Sequence, residues 1–200
     1  MIMEAHIGVG IRGKEGTQAA RSADYTIGKF KFLKMLAFFH GRNAYRRLSH
    51  FVCYYFYKNV ILVFCEIYFA FYNGFSGQIY YVDWLPMLYN AVWTSWPCMF
   101  TYIFERDADY DTSLKHPVLY EAGPKKVYFN YGVFWKYIVF ALFHGMVCFH
   151  FVVYGLEGPF QASGKTQSSW CHSTISFTLI IHIVTYKLLL ESTMWNVINL

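Results

Sequence analysis

A lysine sits near the middle of a long apolar run, and that placement governs much of what this chain can be. The run is SHFVCYYFYKNVILVFCEIYFAFY, from Ser49 to Tyr72, and the lysine is Lys58. A Gly/Ser break at Asn73–Gln78 separates it from a second run, DWLPMLYNAVWTSWPCMFTYIF, which ends at Phe104. Each run is about 20 residues, or about 30 Å long as a helix, enough to cross a bilayer. A charge at that depth costs roughly 2.5–3.5 kcal/mol on insertion scales. Lys58 therefore needs a partner or a wet cavity, and it marks a candidate functional site.

Two more apolar runs follow, so four transmembrane helices are predicted, at about 48–72, 84–104, 133–154 and 171–190. The composition agrees: 56% of residues are hydrophobic, 22% aromatic and only 14% charged. A soluble domain of this size has no core large enough for four such runs. The fold class predicted is an α-helical polytopic membrane protein. Pro97 removes a backbone donor in mid-span and is expected to kink or unwind the second helix. The net charge of +5 matters less than its distribution. Nine Lys and Arg precede the first span, five lie from Arg106 to Lys136, and only Lys165 lies in the other two loops. The positive-inside rule then puts both termini and the Glu105–Asn130 loop in the cytosol, with no reason to invoke nucleic acid. Cys53, Cys65, Cys98, Cys148 and Cys171 form no CxxC pair and read as apolar packers. The opening residues lack a signal peptide's apolar core.

The first 41 residues read differently from the rest. Ile7-Gly-Val-Gly-Ile11 reads as a strand entering a turn, Glu15–Ala23 as a helix and Asp24–Ile27 as a second short strand. Strand, Gly turn and helix belong to an α/β layer, but so few residues cannot make one alone. They read as the tail of a larger domain. Residues 1–41 are taken as that remnant and 42–200 as the membrane domain. Phe30–His50 interleaves apolar and basic residues and reads as an amphipathic connector at the membrane surface. Glu105–Asn130 reads as a polar loop.

Several motifs are weaker than they look. Gly8-Val-Gly-Ile-Arg-Gly13 has the letters of a dinucleotide loop, without the acidic residue that should follow about 20 residues on. Asp107, Asp109 and Asp111 alternate like the start of a calcium loop, without its Gly and Glu. His144, His150 and His182 have no acidic neighbour or close second His and read as neutral residues with satisfied hydrogen bonds. The polar residues within the spans are more informative. Asn59 doubles the polarity at the depth of Lys58, and Glu66 is a second charge in the same run. Lys58 and Glu66 are separated by about 12 Å of rise and about 80° of rotation, so they do not pair directly. Asn59 and Glu66 share a face, which suggests a polar stripe with partners on other helices. Asn90 and Thr94 of the second span are the candidates.

Motifs in order and spacing identify a resemblance covering essentially the whole chain. IGVGIRGKEGTQAARSADYTIGKFKFL, HGRNAYRRLS, YFYKN, NGFSGQ, YN and LKHPVLYE together resemble the phospholipid-flipping P-type ATPases. The resemblance implies that residues 1–41 end a HAD-like phosphorylation domain and that the four spans are the fifth to eighth of ten. It also implies that Lys58, Asn59 and Asn90 lie on the lipid path; Glu66 and Thr94 stay further candidates from the polar-stripe reading of the residues alone. Glu66 departs from the neutral polar residue usual in the family.

For a full-length parent the resemblance implies ATP and Mg²⁺ as cofactors, and a phospholipid moved from the outer to the cytosolic leaflet. It further implies an accessory β-subunit at the outer loops 73–82 and 155–170. The family's phosphorylated DKTG motif does not occur here, and its GDGAND magnesium motif would stand just upstream of Met1. This chain alone is therefore expected to bind neither cofactor and to have no catalytic residue. An alternative is a non-catalytic module of the same shape, of the kind fused to a cyclase. A free-standing four-span protein would leave the strand edges near the N-terminus unpaired.

Overall fold

The computed structural model describes residues 4–13, 21–156 and 167–193. The helix predicted at Glu15–Ala23 and the loop predicted at Gly155–Trp170 fall mostly outside them. The chain divides into two compact units, Met1–Arg46 with Ala108–Lys126, and Arg47–Asp107 with Val127–Leu200.

In the first unit, β1 (Val9–Ile11) and β2 (Tyr25–Ile27) pair in parallel, with Gly10 opposite Thr26. The Asp24 carboxylate fastens the start of the pair by accepting from the Gly8 N–H at 2.7 Å. A short helix, α1 (Phe32–Met35), runs into a π-helical stretch at Leu36–Gly41. The span predicted as a polar loop after Glu105 is more ordered than expected. It contains a helix, here α5 (Tyr110–Lys115), and a 3-10 turn at Pro117–Ala122 that begins on a proline. Proline is well suited to the first helical position because its missing N–H would be unpaired there anyway. Aromatic contacts hold these pieces: Phe38 meets Tyr120 at 5.1 Å and Phe39 meets Tyr110 at 5.7 Å between ring centres.

The second unit contains the long helices: α2 (Arg42–Tyr72, which begins at the end of the first unit), α6 (Tyr131–Gly155) and α7 (Ser169–Glu191). Between α2 and α5 lie α3 (Trp84–Leu88), a π-helical stretch Tyr89–Trp93, and α4 (Ser95–Phe104). Among the described residues, three helical runs are long and apolar enough to cross a membrane: Phe32–Tyr72, Tyr131–Gly155 and Ser169–Glu191. The second predicted span, 84–104, is not one continuous helix. It is interrupted at Tyr89–Trp93, where Pro97 led one to expect a break.

Sequence sets the ends of these elements. Asn130 caps α6, its side-chain oxygen accepting from the Val133 N–H at 2.9 Å. After α2 the chain reverses through Gly74, Phe75 and Gly77, all at positive φ. Two of the three are glycines, which adopt that conformation without a Cβ penalty. The Asn73 side chain closes the turn, donating to the Gln78 carbonyl and accepting from the Ser76 N–H.

Packing is inverted relative to a water-soluble bundle. The buried stripe of α6 is Ala141, Gly145, Cys148, Phe149 and Val152, and that of α7 includes Ser173, Ser176, Phe177, Ile180 and Val184. The outward faces carry Trp135, Val139, Phe143, Phe151 and Leu190, all exposed. An apolar exterior with small and hydroxylated residues inside suits a lipid solvent, where close backbone approach replaces the hydrophobic drive. The chain is a helical, polytopic integral membrane protein.

At Gly145, α6 packs against α2. A Cβ placed there would lie 3.5 Å from both the Ile61 carbonyl oxygen and the Phe64 Cβ, which is ordinary contact. Its own carbonyl accepts from the Cys65 thiol at 3.6 Å. Gly145→Ala is therefore expected to leave the melting temperature of the purified full-length protein unchanged or slightly raised. Gly145→Leu must push the helices apart, at a cost of about 1–3 kcal/mol. A leucine variant that melts like the wild type would mean the contact is loose.

Candidate functional site

The site begins with a proline. In a regular helix the Pro97 ring would collide with the Trp93 carbonyl and leave it without a donor. The chain avoids this by ending one helix and starting another. Thr94 stands at the N-cap of α4, so Pro97 falls in the first turn, where N–H groups have no intrahelical partner. Just before it the backbone widens: the Thr94 N–H donates to the Tyr89 carbonyl, five residues back, at 3.1 Å. The Thr94 hydroxyl donates to the same carbonyl at 2.7 Å, and the Ser95 hydroxyl donates to the Asn90 carbonyl. Single π-turns of this kind recur at functional positions within helices.

The break turns Thr94 inward, onto Lys58. Both are buried, at 1% and 2% exposure. The Lys58 ammonium donates to the Thr94 hydroxyl oxygen at 2.7 Å. It also lies over two ring faces, Tyr55 at 5.1 Å and Tyr89 at 5.8 Å from the ring centres. The Tyr89 hydroxyl reaches back and donates to the Lys58 carbonyl at 2.9 Å. Lys58, Thr94 and Tyr89 thus form a closed set of contacts between α2 and the π-turn.

The ammonium's bonding is incomplete. It carries three donors. One is used by Thr94, and no carboxylate pairs with it among the described residues. A hydroxyl and two aromatic faces soften a buried cation without neutralising it. What remains is a buried positive charge with donors to spare, chemically suited to a phosphate or carboxylate oxygen.

The other sequence-predicted residues are not drawn into this cluster. Asn59 is half-buried, and its side-chain amide donates to the Tyr55 carbonyl of its own helix at 2.9 Å. Glu66 is half-buried two turns farther along α2. Asn90 is exposed on the π-turn. Thr94, a secondary candidate, is the direct partner. Sequence reasoning missed Tyr89, which supplies a carbonyl, a hydroxyl and a ring face. The signal was present in its position five residues before Thr94 and eight before a mid-span proline. Two of the three histidines singled out in the sequence are hydrogen-bonded individually: His144 Nδ1 meets the Tyr57 hydroxyl at 2.5 Å, and His150 Nδ1 meets the Met146 carbonyl at 2.9 Å, while His182 lies beside the Tyr186 ring.

The family described as phospholipid-translocating P-type ATPase, C-terminal, matches residues 20–200. Phospholipid-transporting ATPase IG of Homo sapiens is 38% identical over 201 residues, covering 100% of this chain and 18% of that protein. Phospholipid-transporting ATPase FetA of Mus musculus is 36% identical over 200 residues, covering 100% of this chain and 17% of that protein. Phospholipid-transporting ATPase DRS2 of Saccharomyces cerevisiae is 35% identical over 198 residues, covering 98% of this chain and 15% of that protein. The chain thus spans less than a fifth of the length of these relatives.

Proposed function

This chain belongs to the phospholipid-translocating P-type ATPases, matching their C-terminal part, and on that premise we propose that it is the segment of such a pump that meets the lipid head group. The parent would move a phospholipid from the outer to the cytosolic leaflet, driven by ATP. The observation that carries this reading is the Lys58 ammonium, buried against Thr94 with donors unused. A head-group phosphate or carboxylate arriving there completes the bonding of the cation and offsets its desolvation. Asn59 and Asn90 lie next to Lys58 and Tyr89 in sequence, and they would line the same path, with Glu66 farther along it.

The finer architecture belongs to the same proposal. Residues 84–104, broken at the π-turn, would form a fourth span beside the three continuous ones. Irregular backbone at membrane depth is tolerated where it is buried in protein or lines a cavity, and Thr94 and Tyr89 are buried. Residues 1–41 would end the phosphorylation domain. The distribution of Lys and Arg favours cytosolic termini. An accessory subunit would sit at loops 73–82 and 155–170. ATP and Mg²⁺ would be bound by the parent outside this chain. Among the described residues, no group of three or more His, Cys, Asp or Glu is placed to hold a metal. Nothing specific favours the alternative of a non-catalytic module fused to a cyclase.

The test is transport itself. The full-length parent, reconstituted with fluorescent phospholipids differing only in head group, is expected to deplete one or more of them from the outer leaflet only when ATP is supplied. ATP-independent or absent movement across the whole head-group series would overturn the reading.

A further inference from the structure

Lys58 is not the only cation inside the bundle. Lys187 of α7 is 18% exposed, and its ammonium donates to Glu191 at 2.7 Å, one turn along the same helix. Three rings surround it: Tyr137 at 4.8 Å, Tyr57 at 5.0 Å and Phe140 at 5.6 Å from the ring centres. Tyr137 and Phe140 belong to α6 and Tyr57 to α2, so this one cation gathers three helices. The ion pair makes little sense as support for α7 itself. A carboxylate in the last turn opposes the helix dipole, and Lys before Glu at this spacing is the weaker order. Glu191 is better placed to hold the ammonium among the rings.

Tyr57 is the link. Its hydroxyl meets His144 of α6, and its ring lies under Lys187. One turn earlier on the same face, the Tyr54 hydroxyl donates to the Val184 carbonyl of α7 at 3.4 Å. Tyr57 immediately precedes Lys58, and successive residues on a helix point about 100° apart. One side of α2 is therefore fastened to α6 and α7, while the adjoining side presents Lys58 to Thr94. A rotation of α2 by about 10° moves a group at the helix surface by about 1 Å. A displacement of that size at a reacting or binding group costs up to about a hundredfold in rate.

We propose that Lys187 is a positioning residue for Lys58: caged by Tyr57, Tyr137 and Phe140 and held by Glu191, it sets the rotation of α2 and thereby the Lys58–Thr94 contact. The inference rests on the reading of Lys58 as part of the lipid path. It assigns Lys187 no contact with lipid.

The experiment compares full-length variants in reconstituted membranes, reading ATPase rate against phospholipid concentration. Lys187→Met is expected to raise the half-saturating lipid concentration roughly tenfold or more. Lys187→Arg, which keeps a cation over the rings and a donor to Glu191, is expected to stay close to the wild type. Because Lys187 acts through Lys58, adding Lys187→Met to a Lys58→Ala protein should change the lipid response no further. An unchanged half-saturation in Lys187→Met, or an equal loss in the Lys58→Ala background, overturns the proposal. If Lys187→Met does not accumulate, Tyr57→Leu removes the ring beneath the cation, and the same comparisons decide. A wild-type response from Lys58→Ala would instead defeat the lipid-path reading, and this inference with it. Impaired Lys58→Ala beside a normal Lys187→Met would defeat this inference alone.

Discussion

Lys58→Ala in the full-length parent is expected to lower the apparent affinity for phospholipid roughly 10- to 100-fold while leaving the protein in the membrane. The magnitude is that of one charge-assisted hydrogen bond, about 1.5–3 kcal/mol. Insertion is not the expected point of failure. Removing a charge from mid-span makes insertion easier by roughly 2.5–3.5 kcal/mol, and Ala is a good helix former. The Tyr89 hydroxyl keeps its bond, because it donates to the backbone carbonyl of residue 58 and not to the side chain. Lys58→Arg keeps the charge, but its wide planar fork suits poorly a site whose acceptor is one threonine hydroxyl, so partial activity is expected. The measurement is ATPase rate against lipid concentration at matched amounts of reconstituted protein. A wild-type lipid response from Lys58→Ala would make Lys58 a structural cation, satisfied by Thr94 and two tyrosine rings.

Where the sequence could be read and where it could not follows from the physics at each position. The three continuous helices were visible because apolar runs of that length have few other folds available to them. The break in 84–104 was visible because proline has no N–H to give. The direction each side chain takes after the break was not. On a regular helix, Asn90 and Thr94 would face within about 40° of each other and would serve Lys58 equally well. The π-turn shifts that phase, leaving Thr94 buried and Asn90 exposed. A single added residue per turn thus chose the partner, and no periodicity argument contains it. The Lys187 cage was hidden for a different reason: its rings come from two helices far from Lys187 in sequence, and only packing brings them together. The polar stretch after Glu105 was misread as loop because short helices anchored by aromatic contacts leave almost no periodic signal.

The pairing of Lys58 with Thr94 also predicts a separation of stability from function. Thr94→Val keeps the shape of the side chain but removes the only hydrogen-bond acceptor of the buried ammonium among the described residues. The orphaned group should destabilise the protein by about 1–3 kcal/mol or more, since it is charged. Lys58→Met replaces the cation with an apolar chain of similar length. Exchanging a buried charge for a well-packed apolar group is often neutral or stabilising, so this variant should melt at or above the wild-type temperature. Thr94 loses nothing essential in that protein, because its hydroxyl still donates to the Tyr89 carbonyl. Combining the two changes should therefore restore most of what Thr94→Val loses, giving a coupling well beyond the roughly 0.5 kcal/mol scatter of independent sites. Lipid-stimulated turnover should stay low in both proteins that lack Lys58, however stable they become. Thermal melts of the four proteins, together with their lipid titrations, make the comparison. Strictly additive melts would show that Lys58 does not depend on Thr94. A stable Lys58→Met protein with full lipid response would show that the buried charge has no part in lipid recognition.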